Sequence, residues 1–359
     1  MAQQQMRKPK ETGVPDNKPM MHPVLLANYG NWKYHDFPRP GVIRHVAHSG
    51  AQVWTVRAGT QRQMDVFTVR KLCDIADEHG GGYLRFTTSR SNVEFMVSDE
   101  AKVAPLIQAC ESAGFPVGGT GHCVGVISHT QGWLHCDIPG TDASGVVKAL
   151  MDELIHEFKH EEMPNKVHIT TSCCQINCGG QGDIGIIVQY DAPPKINHDL
   201  VGTVCQRPAV VSRCPVAAIR PAMVNGKPSL EVDERKCVYC GACYPPCPPM
   251  QINDPDHTKL AIWVGGKYSN ARSKPTLMKM VAAGLPNHPP RWPEVAQVVK
   301  KILSVYKEDG RPWERMADWI ERIGWGRFFE KTGLPFSKYL IEDWRGGRAS
   351  VNSSAHVRF

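Results

Sequence analysis

Two sets of cysteines have spacings that could do chemistry. Cys237, Cys240, Cys243 and Cys247, in CVYCGACYPPCPP, follow C-x2-C-x2-C-x3-C-P. In such a run the first three thiolates take three iron corners of a cubane, and the fourth position reaches a different cluster. Structural zinc is the plain alternative, but zinc sites pair C-x2-C hooks that lie well apart in sequence. The missing fourth ligand should be a remote cysteine followed by proline, and Cys214-Pro215 supplies it. Cys214, Cys237, Cys240 and Cys243 are therefore assigned to one [4Fe–4S] cluster. Cys205 and Cys247 are left over. Two thiols cannot hold a second cubane, so they are expected as buried core cysteines, with Cys247 replacing Cys214 as the alternative.

The other set is TTSCCQINCGG, which puts Cys173, Cys174 and Cys178 on one short stretch ahead of Gly179, Gly180 and Gly182. Adjacent cysteines do not easily bridge to each other, and vicinal thiols oxidise unless something occupies them. Glycines there would let backbone approach a bulky group. A fourth sulfur has two candidates, Cys136 and Cys123. Cys136 is preferred because its turn precedes the helix that leads into the stretch. Buried, unligated cysteines are the other reading.

The elements that must position these sulfurs follow from periodicity. Val66 to Ala76 repeats at helical spacing until Gly80 to Gly82 stop it. Strands at 83–88 and 93–97 come next, then a helix from Val103 to Cys110 ended by Gly114. A second stretch repeats the plan, with an apolar stripe from Val146 to Phe158 that Thr141 or Asp142 could cap and a strand over 166–171. LRFTTSRSNVEFMV aligns with VHITTSCCQINCGGQGDIGIIV, so Thr87-Thr88-Ser89 answers Thr170-Thr171-Ser172. The pattern reads as an internal duplication whose second copy carries the cysteine loop; chance likeness of two TTS ends is the alternative. Residues 203–256 are rich in cysteine and proline and short of apolar periodicity, as in a small inserted domain held by metal. A strand at 262–264, a basic loop GGKYSNARSKP and helices over 295–306 and 315–323 follow. The expected divisions are an arm over 1–40, half-repeats over 41–120 and 121–202, the insertion over 203–256, a return of the main domain over 257–345, and an arm over 346–359.

The whole chain sets bounds on function. Its 359 residues suffice for two or three packed units. Thirteen cysteines occur without a basic start followed by an apolar stretch, and no run of about twenty apolar residues occurs. A soluble, cytoplasmic-type protein with reduced or metal-bound thiols and no membrane span is expected. The formal charge of +7 is modest, and the basic residues are scattered without interleaved aromatics, which argues against nucleic acid.

One cysteine, a long gap, then C-C-x3-C and an inserted ferredoxin run together resemble the dissimilatory sulfite reductase beta subunits, within the sulfite and nitrite reductase family. The resemblance covers about residues 40 to 345. It implies an α+β fold of duplicated sulfite/nitrite reductase-type units with an inserted ferredoxin-like domain. It also implies that Cys136, Cys173, Cys174 and Cys178 hold a [4Fe–4S] cluster and that Cys178 bridges to the iron of sirohaem. With the ferredoxin cluster, that makes two [4Fe–4S] clusters and one sirohaem.

Sirohaem carries eight carboxylates and sulfite is an anion, so positive side chains must line the pocket. The candidates are Arg57, Arg62, Arg85 and Arg90 before the cysteine loop, and Lys267, Arg272 and Lys274 after it. Arg85 and Lys267 are the first choices as catalytic groups, because YLRFTTSR and WVGGKYSNARSKP resemble family segments around the haem. The resemblance further implies a homologous alpha subunit in an α2β2 assembly, an external electron donor, and a small cysteine-bearing sulfur carrier protein. It leaves the direction of turnover open. An alpha-type subunit or a single-chain assimilatory reductase is the alternative within the class. A ferredoxin-like electron-transfer subunit that reduces nothing is the alternative outside it, but it leaves Cys136, Cys173, Cys174 and Cys178 without a role.

Overall fold

The computed structural model describes residues 16–87, 92–133, 136–268 and 273–341. In the first unit a short helix α1 (Pro23–Ala27) leads into β1 (Trp32–Arg39), β2 (Val42–Ala47) and β3 (Gln52–Gly59). Helix α2 (Val66–Gly80), β4 (Leu84–Phe86), β5 (Asn92–Val97) and α3 (Val103–Ser112) complete it. The strands form one antiparallel sheet in the order β1-β2-β3-β5-β4. Asp65 caps α2 by accepting the Thr68 amide at 2.7 Å, and Gly81 ends it at φ +66, a conformation glycine adopts at no steric cost. Leu72, Ile75 and Ala76 then pack with Leu106 and Cys110 of α3 on Val56, Val93 and Phe95 of the sheet. Truncating one such buried leucine costs about 2–5 kcal/mol.

The second unit opens with β6 (Ser128–His129), α4 (Ala143–Glu153), α5 (Ile155–Lys159), β7 (Ile169–Ser172) and β8 (Ile184–Tyr190). An insertion follows, made of β9 (Lys195–Ile196), α6 (Arg207–Arg213), the hairpin β10 (Ile219–Val224) and β11 (Lys227–Val232), and β12 (Met250–Gln251), which pairs back to β9. The chain then returns as β13 (Thr258–Val264) and β14 (Lys279–Pro286), and closes with α7 (Pro293–Asp309), α8 (Met316–Ile323) and α9 (Trp325–Thr332). The second sheet runs β14-β13-β8-β7-β6. Pairing is parallel on both sides of β7 and antiparallel on both sides of β13. The fully buried Trp292, Tyr306, Trp319 and Phe328 belong to its core, together with Val146, Val147 and Leu150 of α4. Among the described residues no helix is long and apolar enough to cross a membrane.

The structure departs from the sequence expectations in four places. Residues 32–39 are not an arm but the edge strand β1; its mostly exposed side chains give it no apolar alternation to read. The stripe from Val146 to Phe158 is two helices that meet at Leu154. The two TTS segments lead into different connections: β4 and β5 form an antiparallel hairpin, whereas β7 and β8 are parallel, joined by the cysteine loop 173–183. Parallel neighbours need a crossover of about a dozen residues, and the loop is that crossover. Residues 1–15, the arm over 346–359, Thr88, Ser89, Arg90 and Arg272 lie outside the described residues.

The fourth departure concerns Cys205 and Cys247, which form a disulfide with Cα atoms 4.8 Å apart, against the expectation of reduced or metal-bound thiols. Both pack in the small core of the insertion with Val210, Ile219, Leu230 and Met250. The bridge encloses the segment that carries Cys214, Cys237, Cys240 and Cys243. Alkylation of the folded protein without reductant is expected to leave Cys205 and Cys247 unlabelled and joined in one peptide pair by mass spectrometry. Cys205→Ser should lower the thermal stability of the insertion, since losing such a bridge in a small domain costs about 2–5 kcal/mol. Full labelling of both thiols in the untreated protein would contradict the pairing.

Candidate metal centres and a basic pocket

Cys214, Cys237, Cys240 and Cys243 line one enclosed apolar pocket together with Pro215 and Ile252, and Cys247 is not among its walls. Cys214 sits at the C-terminal end of α6, where its sulfur accepts the Ala218 amide at 3.1 Å. Tyr239 and Gly241, at φ +53 and +73, bend the run around the pocket. Burial pushes the Cys237 thiol up to about 11, and the charges of Cys240 and Cys214 add to it. Cys243 is pushed up for the same reasons, burial first. Four cysteines around one pocket, two of them with thiols that resist ionisation, suit a cationic metal core, which would stabilise their thiolates.

In the second unit the sulfurs of Cys136, Cys173 and Cys174 lie within 4.8 Å of one another. Cys173 and Cys174 are buried, and Cys136 is half-buried. Hydrogen bonds from Cys136 and then Cys174 pull the Cys173 thiol down, while Cys136 is pushed up chiefly by its bond with Cys173, and Cys174 by its bonds with Cys136 and then Cys173. A metal centre could take all three as thiolates. Cys178 is exposed and stands apart from the trio on the same loop. The other candidate, Cys123, is buried and donates to the Thr120 carbonyl.

The glycines of the loop serve its path. A methyl on Gly182 would lie 2.9 Å from the His168 carbonyl and 3.0 Å from Thr170 Cγ2, so the return into β8 leaves no room for a side chain. Asp183 then pins the strand start: it accepts the His168 amide at 2.8 Å and both carboxylate oxygens take Arg315 at 2.8 Å.

The two cysteine sets meet at aromatic side chains. Tyr244, which follows Cys243, packs against the cluster of Ile138, Ala143, Cys173 and Cys174, which Cys136 also borders. A methyl on Gly241 would lie 3.4 Å from Tyr190 and 3.8 Å from Ile138. The Tyr190 hydroxyl donates to Asn253 at 2.6 Å. Burial first, then the cysteine trio, raises its phenol well above the usual range. Neither tyrosine was singled out from sequence, where nothing distinguishes them from core aromatics.

The basic candidates divide between two places. Arg62 lies at the cysteine end of β6, donating to the His129 carbonyl at 2.5 Å. Lys267 is buried and paired with Asp318 and Ser273, so an anion there would compete with an internal carboxylate. Lys274 is exposed, 3.5 Å from Glu321. Arg57 and Arg85 both bind the buried Glu94: Arg57 donates to Oε1 at 2.9 and 2.6 Å and to the Gly119 carbonyl at 3.0 Å, and Arg85 pairs with Oε2. Two guanidiniums on one carboxylate leave a net positive charge.

Arg57 also lines a pocket of about 220 Å³ with His35, His45, Thr120, Lys166 and His168. This pocket lies at the start of β7, and Cys173 follows its end, five residues beyond His168 or roughly 16 Å at strand rise. Lys166 and His168 could have been read from sequence, since alternate residues of a strand share a face. His35 and His45 could not, because neither strand that carries them, β1 or β2, was read from the sequence.

Glu94 gives a stability prediction. Burial alone would raise its pKa, but the Arg57 charge and hydrogen bond, then Arg85, hold it below the ordinary 4.5. The stabilisation is therefore present above 4.5 and is lost as pH falls through the depressed folded value. Glu94→Gln is expected to cost about 3–5 kcal/mol near neutral pH, because Arg57 would be left nearly buried without its partner. The difference from wild type should shrink in acid, as read by denaturant unfolding at several pH values; a constant difference would show that the charge is irrelevant.

Comparison with known proteins agrees with this geometry. The profile of the nitrite and sulphite reductase 4Fe-4S domain matches residues 120–340, and that of the nitrite/sulfite reductase ferredoxin-like half domain matches 45–113. The chain belongs to the nitrite and sulphite reductase family. Within it, the chain is similar to the dissimilatory-type sulfite reductase beta subunit of Archaeoglobus fulgidus, 46% identical over 93% of this chain and 93% of the relative. The beta subunit of Nitratidesulfovibrio vulgaris is 45% identical over 90% and 88% of the two chains. The crystal structure of dissimilatory sulfite reductase I shares the fold, with a TM-score of 0.78 at 19% identity, covering 91% of this chain and 83% of that one.

Proposed function

We propose that this chain is the beta subunit of a dissimilatory-type sulfite reductase that interconverts sulfite and sulfide at a sirohaem joined through Cys178 to a [4Fe–4S] cluster on Cys136, Cys173 and Cys174. The observation that carries the reading is the gathering of three sulfurs, two buried and one half-buried, with an exposed fourth cysteine on the loop that bears two of them. Bisulfite takes up six electrons and six protons to give hydrosulfide and three waters. When bound, the haem supplies a centre that keeps partly reduced sulfur in place.

The chain's own residues do the rest. Cys214, Cys237, Cys240 and Cys243 would hold the second cluster, where electrons arrive from an external donor. Tyr244, packed against the cluster that holds Cys173 and Cys174, and Gly241, close to Tyr190, give a short packed route from one cluster to the other. Arg62, at the cysteine end of β6, is placed to hold a haem carboxylate or a sulfite oxygen. Such a guanidinium stays charged in a low-dielectric site and stabilises charge that builds up as an S–O bond breaks.

The pocket of Arg57, Lys166 and His168 lies too far along β7 to serve the same cluster. In this reading it faces an anionic cofactor or substrate held by a homologous alpha subunit in an α2β2 assembly, while the alpha subunit lends its own positive charge to the cofactor held here. A small cysteine-bearing carrier would take up the sulfur.

Anaerobic purification with the natural partners, followed by acid–acetone extraction and iron and sulfide assay, tests the reading. Extracted sirohaem with two cubanes per chain is expected. An iron–sulfur spectrum without tetrapyrrole would favour the electron-transfer subunit.

A further inference from the structure

We infer that Thr130 is a positioning residue that sets the reduction potential of the cluster on the cysteine loop, through a hydrogen bond from its hydroxyl to the sulfur of Cys173. The inference rests on the proposed cluster at Cys136, Cys173, Cys174 and Cys178. Thr130 is buried immediately after β6, and its amide continues the ladder to β7 by donating to the Thr171 carbonyl at 3.1 Å. Its hydroxyl oxygen accepts the Cys173 amide at 2.9 Å and lies 3.0 Å from Cys173 Sγ.

A hydroxyl has one proton to give. With the acceptor side held by the Cys173 amide, the proton is directed to the sulfur. The Thr130 carbonyl in turn takes the His129 ring at 2.8 Å through Nδ1, which fixes the local backbone. Cys173 receives a second donor, the Gly132 amide, from the same turn.

Adding an electron to a cubane increases negative charge on its sulfurs. A donor aimed at one of them therefore stabilises the reduced state more than the oxidised and raises the potential. The step is a one-electron transfer from the ferredoxin cluster, with no bond made or broken at Thr130. The hydroxyl would keep the receiving cluster reducible by a donor lying on the other side of Tyr244.

The test uses the assembled holoenzyme, with Thr130→Val, which keeps the shape and removes the donor, and Thr130→Ser, which restores it. In anaerobic redox titrations followed by EPR, the Val variant is expected to show a three- to tenfold lower ratio of reduced to oxidised cluster at a fixed ambient potential, tenfold being about 59 mV for one electron. The Ser variant should titrate as wild type, and the ferredoxin cluster should be unmoved in both. A Val variant with full iron that titrates as wild type, or a Ser variant shifted as far as Val, overturns the inference.

If Val fails to retain its iron, the proton can be read in the wild type. Brief exchange into D2O labels hydroxyls ahead of hydrogen-bonded amides, and pulsed EPR of the reduced cluster should then show a nearby exchangeable deuteron; its absence also overturns the inference. Iron and sulfide for only one cubane per wild-type chain would instead remove the reading of the site itself.

Discussion

Cys178→Ser is expected to abolish sulfite reduction, by at least about a hundredfold or ~2.7 kcal/mol in the barrier, while leaving the fold intact. Cys178 is exposed, whereas Cys173 and Cys174 are 1% and 3% exposed. Replacing an exposed thiol with a hydroxyl disturbs no packing. What it removes is a soft, anionic ligand that two metal centres could share, and serine is neither soft nor readily ionised. The readouts are sulfite-dependent turnover, haem content and the thermal unfolding midpoint. Wild-type turnover with bound sirohaem in the variant would refute the bridging role.

Cys240→Ser should give the opposite pattern. Cys240 lines one pocket with Cys214, Cys237 and Cys243, and next to it Gly241 approaches Tyr190 while Tyr244 packs against the cluster of Cys173 and Cys174. Losing that cluster should spare sirohaem binding and slow turnover with an external electron donor by at least about tenfold, or ~1.4 kcal/mol. Normal turnover in a variant shown to lack the cluster would mean that electrons arrive elsewhere. The two substitutions together separate the place where electrons are received from the place where they are used.

The grouping of the cysteines was the most legible part of the chain because metal chemistry constrains spacing directly. C-x2-C-x2-C with a remote Cys-Pro identified four residues that line one pocket, and C-C-x3-C with Cys136 identified three sulfurs that converge. Helices α2, α3, α7 and α8 were legible from apolar periodicity. Strand β1 was not, because an edge strand with an exposed face has no alternation. Nor was the pairing of Cys205 with Cys247, since connectivity is not written in spacing. The basic residues were found by type but not by place: only the sheet shows that Arg57 stands with Lys166 and His168 at one end of β7 while Arg62 stands at the other. Thr130, Tyr190 and Tyr244 carry residue types too common to single out, and their interest lies in the groups they touch.

The loop from Cys173 to Asp183 at once carries three of the candidate sulfur ligands and connects two parallel central strands. Its length is therefore set twice, by the reach of the sulfurs and by the register of β8 on β7, where Ile169 faces Ile184. A single inserted residue could not be absorbed at Gly182, which has no space to give, nor at Asp183, which is held by Arg315. It would have to bulge among the cysteines themselves. Substitutions in this segment can be tolerated one at a time, but a change of length cannot, so C-C-x3-C and the distance from it to β8 should be inherited as one indivisible unit.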